Sequence, residues 1–325
     1  MSSGPLNNIM TPAYDPQQAL IEDVFVNELN MSFPMQGRKW LRLLEEHPDF
    51  GLRIKPNLNL NAAHLGFQFS SNQLGLRGPV NRHGRGVILG TSFAMGFAVD
   101  DGRNWYDVPL FHKDFLNLGL PVGLRQMQAM LDQHYLGSSD IAVFLYHPNI
   151  WTACVDFDRW RASGQTLFSS MRWETDLALA LEKSLAKVKA VMAGTDNQII
   201  EMVDNRHYLL NANYAIFNPD KFSAAYADAA LYLNAITSRF KKLIVMRVPV
   251  KEELATQYTS HEPLYNLREN HQRGWTAFKN LLAQMAPHAE LYEDLLFSLS
   301  DYHPCDTHWN ELGNDRFRQH LLPLI

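Results

Sequence analysis

Val87-Ile88-Leu89-Gly90-Thr91-Ser92-Phe93-Ala94-Met95-Gly96 is the stretch whose reading decides the fold. The apolar, β-branched run at its start predicts a buried strand. Gly90 stops the run, because glycine turns without steric penalty. Ser92 follows at once, where a strand of an open α/β sheet hands over to a loop or helix. Ligands of such sheets bind outside the carboxyl ends of the strands. Ser92 is therefore a candidate nucleophile, although most strand–Gly–x–Ser junctions are only turns.

Working outward, other runs repeat the strand pattern. Phe115-Leu116-Asn117-Leu118-Gly119 reads as a short apolar strand ending in glycine. Asp140 to Tyr146 is the strongest buried strand in the chain, and His147-Pro148-Asn149 follows it. Leu243 to Val250 is another buried run, and Leu291 to Leu299 supplies a last apolar element. Helical spacing covers Leu124–Leu136, Phe222–Phe240, Gly274–Ala286 and Glu311–Leu322. Thr175 or Asp176 caps a further helix that Gly194 closes. Gln198–Val203 and Tyr208–Phe217 read as strands or loops. Before the serine strand, Pro16–Glu46 has a helical pattern broken at Pro34 and Gly37, and Gly51–Leu60 reads as extended. Strands alternating with helices imply a parallel sheet with helices on both faces.

Composition bounds the function. Hydrophobic residues at 46% of 325 suffice for a packed core. A net charge of −5 gives no reason to expect nucleic acid as a partner. Met1 to Tyr14 shows no basic run leading into an apolar core, and no run of about 18 apolar residues occurs. No membrane partner and a cytoplasmic location are therefore expected. Cys154 and Cys305 do not make a disulfide framework and read as buried free thiols. No phosphate-binding glycine loop and no zinc-like spacing appears, so no metal and no cofactor is expected.

Near the end stands Asp306-Thr307-His308-Trp309-Asn310-Glu311-Leu312-Gly313. An Asp and a His two apart on a loop can form a base with its orienting carboxylate. His303, five positions earlier, is the rival base, with a solvent-facing loop histidine as its plainer reading. A serine early and Asp-x-His late resemble the SGNH (GDSL-type) hydrolase family. Gly90, Ser92, Phe93 and Gly96 match its first motif; Asp306, His308, Asn310 and Gly313 match its last. Thr91 stands where that family usually has Asp. Asn72-Gln73-Leu74-Gly75-Leu76-Arg77-Gly78 resembles an Asn-x-x-Gly-x-Arg-Gly segment found before the serine in a bacterial subset of the family.

The resemblance implies a three-layer α/β/α, flavodoxin-like SGNH hydrolase fold. Residues 1–71 would be an N-terminal extension packed on the core, and 72–325 the hydrolase-like domain, with 151–241 a helical insertion or cap. It further implies a Ser92–His308–Asp306 triad without metal, and an oxyanion hole made by the Ser92 and Gly119 N–H groups and the Asn149 amide. Gly123 competes with Gly119 for that place. Arg77 and His147 are candidate pocket residues, although Arg77 reads better as a brace for the loop. The implied substrate is a small-molecule or glycan carboxylic ester, such as an O-acetyl group on a sugar. Two other readings stay open: an O-acyltransferase using the same triad, and a catalytically inactive SGNH scaffold that binds or assembles.

Overall fold

The computed structural model describes residues 43–60, 67–120, 123–148, 150–151, 199–203, 207–210, 222–255, 262–303 and 307–325. The expected helices before residue 43 and from Thr175 to Gly194 lie outside them, as do both cysteines, Asn149 and Asp306.

Five strands form one parallel sheet: β5 (Gly86–Gly90), β6 (Phe115–Asn117), β7 (Ile141–Tyr146), β10 (Lys242–Arg247) and β11 (Ala289–Tyr292). Their spatial order is β11-β10-β7-β5-β6. Counted by chain order within the sheet this is 2-1-3-4-5, the order of a doubly wound α/β sheet. The central register sets Gly86 opposite Ile141 and Gly90 opposite Leu145.

Successive residues of each strand face opposite sides of the sheet, and here both sides are covered. Val87, Leu89, Ala142, Phe144, Leu243 and Val245 belong to one core. With them pack Leu124, Met127 and Leu131 of α3 (Leu124–His134), Leu233 and Ile236 of α4 (Phe222–Thr237), and Trp275 and Phe278 of α6 (Glu262–Met285). Ile88, Val143, Leu145, Ile244 and Met246 belong to the other. There they meet Phe93 and Ala94 of α1 (Ser92–Met95), Phe111 of α2 (Pro109–Asp114), and Phe317 and Leu321 of α7 (Glu311–Leu321). Strands buried on both faces read as unbroken apolar runs, which is how they appear in the sequence. The chain moves from β5 to β6 in one direction and from β6 through β7 and β10 to β11 in the other. Right-handed crossovers then require the two sets of connecting helices to lie on opposite faces. A short helix, α5 (Lys251–Ala255), joins β10 to α6.

Several elements depart from the sequence expectation. Leu44–His47 is a strand, β1, and not the end of a helix; it pairs antiparallel with β2 (Gly51–Ile54). Adjacent leucines fit either period. The hairpin wins because it buries Leu44, Phe50 and Ile54 on the α3 face and sets Arg53 against Glu45. Beside it β3 (Asn59–Leu60) pairs with β4 (Phe69–Ser70). α6 begins twelve residues before Gly274, which lies buried inside it. Glycine in a helix interior costs only about 1 kcal/mol, and packing on the sheet outweighs that. β11 begins at Ala289, and the chain beyond it is irregular up to a 3-10 turn at Leu299–Asp301. Within the expected insertion, β8 (Ile199–Val203) and β9 (His207–Leu210) form an antiparallel hairpin. α4 packs instead beside α3, in the helical layer over the sheet. Among the described residues no helix is long and apolar enough to cross a membrane.

The end of α3 is acid-sensitive. His134 closes α3 with its ring buried near Phe50, at 5.7 Å between centroids. Burial, with Arg82 and Arg53 nearby, pushes its pKa down to about 4. Protonation therefore favours the unfolded chain, where a histidine titrates near 6.5. The stability given by the neutral ring is complete above about 6.5 and is lost as pH falls from there towards 4. Urea midpoints measured at pH 7 and pH 5 should fall for the native chain. The fall should be smaller for His134→Gln; equal falls would contradict this account.

Candidate functional site

The carboxyl ends of the parallel strands share one edge of the sheet, and Ser92, Gly119, His147 and His308 gather there. β5 ends at Gly90, whose φ is +145°. A Cβ at this position would stand 2.9 Å from both Leu145 O and Ala94 Cβ, so only glycine allows the chain to turn against β7. Thr91 stands at the N-cap position of the single helical turn Ser92–Met95 without a side-chain bond to it, and Gly96, left-handed at φ +70°, ends the turn.

So short a helix cannot satisfy its own backbone, since the last carbonyls of any helix lack intrahelical partners. Here side chains supply donors to four successive carbonyls. Trp105 Nε1 donates to Phe93 O at 3.1 Å and Asn117 Nδ2 to Ala94 O at 3.0 Å. Tyr106 OH donates to Met95 O at 3.3 Å, and Arg77 Nη1 donates to Gly96 O. Arg77 is 1% exposed. Its other nitrogens reach Val99 O at 2.5 Å and the Asp101 carboxylate at 2.8 Å, and its plane lies 4.7 Å from the Phe69 ring. It braces the segment after the Ser92 turn.

The partner of Ser92 comes from the other end of the chain. His308 Nε2 lies 2.7 Å from Ser92 Oγ, and the two residues are 8% and 7% exposed. Phe93 and Phe97 pack on the imidazole at 4.9 and 5.0 Å. The loop bearing His308 is closed at its base by the Tyr302–Trp309 bridge and by His303 N–H donating to His308 O. Asn310 caps α7, accepting from Gly313 N–H at 3.1 Å, while its Nδ2 donates to Ser300 O and Tyr302 O. Gly313 is required, because a Cβ there would stand 2.2 Å from Asp301 O. Of the two loop histidines, His308 is the one in contact with Ser92. Asp306, the expected orienting carboxylate, lies outside the described residues.

β6 brings two residues to the same place. Gly119 approaches the Ser92 turn so closely that a Cβ would lie 2.3 Å from Met95 N and 2.5 Å from Ala94 C. Its N–H donates to Asn117 Oδ1 at 2.8 Å. Asn117 thus links Gly119 to the Ala94 carbonyl through the two ends of one amide. Gly123 stands apart from this link as the N-cap of α3. His147, directly after β7, is 2% exposed and stacks on Phe93 at 5.0 Å. Phe93 therefore packs against both His147 and His308. Asn117, Trp105 and Tyr106 escaped the sequence reading. The one signal was Asn117 itself, a polar residue inside an apolar strand, which is seldom buried without a purpose.

Among the described residues no three His, Cys, Asp or Glu side chains stand together as metal ligands. No protein-family model matches the chain, and no curated protein is significantly similar to it.

The close approaches make a graded prediction. Gly119→Ala drives a Cβ into backbone and should cost about 1–3 kcal/mol or more. Gly102→Ala, where φ is +84° but nothing lies within 4 Å, should cost only the left-handed conformation, about 1–2 kcal/mol. Urea unfolding of both variants checks the order; Gly119→Ala as stable as the native chain would refute the packing argument.

Proposed function

We propose that this chain is a serine hydrolase of the SGNH type, acting on a carboxylic ester through Ser92, His308 and Asp306. The observation that carries the proposal is the 2.7 Å contact between Ser92 Oγ and His308 Nε2. Two residues 216 apart in sequence meet, nearly buried, where an α/β sheet of this strand order binds ligands. The strand order is also the flavodoxin-like one that the SGNH reading requires.

In the proposed mechanism neutral His308 takes the hydroxyl proton through Nε2 as Ser92 Oγ attacks the ester carbonyl. The carbonyl becomes a tetrahedral oxyanion. It collapses to an acyl-Ser92, and His308 returns the proton to the departing alcohol. Water then repeats the sequence to free the acid. Asp306 would hold the imidazole tautomer and stabilise the imidazolium. The Ser92 N–H and the Asn149 amide are the proposed oxyanion donors. The Gly119 N–H, the third, already donates to Asn117 Oδ1, so the oxyanion would have to share it. An O-acetyl group on a sugar or glycan is the substrate we propose.

Fluorophosphonate labelling and p-nitrophenyl acetate hydrolysis test the reading. The native chain should label once and turn over. Ser92→Ala should remove labelling, and His308→Ala should lower kcat by about 1,000-fold or more, as loss of a triad member does. Faster turnover with a sugar acceptor present would redirect the proposal to acyl transfer. A native chain inert to both reagents would overturn it.

A further inference from the structure

Lys251 and Glu252 stand side by side at the start of α5, and each is 1% exposed. Taking an ammonium and a carboxylate out of water costs several kcal/mol per group, and apolar side chains of similar volume usually serve stability as well or better. Both of these side chains make contacts to the loop that carries His308.

Lys251 Nζ donates to the His303 carbonyl at 2.9 Å. The Glu252 carboxylate accepts from Thr307 Oγ1 at 3.3 Å. Just before them, Pro249 O accepts from Tyr302 OH at 2.6 Å. These contacts grip the loop on both of its sides, at residues 302 and 303 and again at 307, immediately before His308. The bridge and the His303–His308 bond at the base fix the backbone there. The support is itself anchored: Arg247, the last residue of β10, pairs with Glu253 at 2.6 Å. A line of contacts thus runs from the sheet through α5 to the residue preceding the proposed base.

We infer that Lys251 and Glu252 are positioning residues, which hold His303 and Thr307 so that the His308 imidazole meets Ser92. The inference rests on the reading of Ser92 and His308 as nucleophile and base. Misplacing a catalytic group by about 1 Å can cost about 100-fold in rate. Thr307→Val keeps the side-chain volume and removes the hydroxyl, and Glu252→Ala removes its acceptor. Both should lower kcat on p-nitrophenyl acetate by about 10- to 100-fold while KM stays within about twofold. Glu252→Gln and Lys251→Gln keep an acceptor and a donor in place. They should be milder than Glu252→Ala and Lys251→Ala respectively.

Urea midpoints identify the variants that fold. In those, the 1H–15N signals of the His308 ring are read at one fixed pH and should move in Thr307→Val. Folded Thr307→Val and Glu252→Ala with native kcat and unmoved His308 signals would overturn the inference. If the native chain neither labels nor hydrolyses, the nucleophile reading fails by itself. The ring signals then decide the clamp alone: moved signals support it, and unmoved signals refute it.

Discussion

Four backbone carbonyls in a row, from Phe93 to Gly96, each take a side-chain donor, and the geometry of the Ser92 turn depends on them. A one-turn helix has too few internal bonds to offset the cost of its own nucleation. The donors come from Trp105, Asn117, Tyr106 and Arg77, hence from three separate segments. Each is buried, so water is a poor substitute as a partner. Trp105 extends the arrangement further, since its backbone N–H donates to Asn314 Oδ1 on α7. The helix that follows His308 and the turn that carries Ser92 are thereby tied to one residue.

The sheet supplies the rest of the constraint. Parallel strands put all of their carboxyl ends on one edge, and the reversal of strand order falls between β5 and β7. Ser92 follows the first of those strands and His147 the second. Phe93 fills the space between the turn and the two histidines, which converts the position of a backbone turn into the position of an imidazole.

What the sequence discloses divides along physical lines. Strands β5, β6, β7 and β10 were legible because burial leaves apolar runs ended by Gly, Pro or Asn, whereas β11, Ala-Glu-Leu-Tyr with its two middle residues exposed, has no such run. Ser92 and His308 were legible because a strand end and a helix cap have local signatures, with Gly90 before one and Asn310 after the other. The donors to the Ser92 turn were not. A bond from Trp105 or Tyr106 to a main-chain oxygen has no period and no fixed spacing, and an Arg such as Arg77 looks the same whether it braces or binds. Leu44–His47 and the first half of α6 were misjudged because adjacent leucines and an interior glycine are ambiguous until tertiary packing decides. Nothing in the local sequence singles out Lys251 and Glu252, because the partners they meet, His303 and Thr307, return from about 50 residues further along the chain.

The long span between Ser92 and His308 also orders events in time. A chain emerging from the ribosome grows from its N-terminus. It can pair β5, β6 and β7 and form the Ser92 turn long before residue 308 exists. Contacts of such high sequence separation form late, because loop-closure entropy opposes them until much of the structure is in place. A nascent chain would therefore carry a shaped Ser92 turn without its imidazole partner, which would reach it only after β11 has joined the sheet edge and α7 has docked on Trp105. The Ser92–His308 contact thus forms only after the segments that frame it, on either side of a 216-residue separation, have been made and packed.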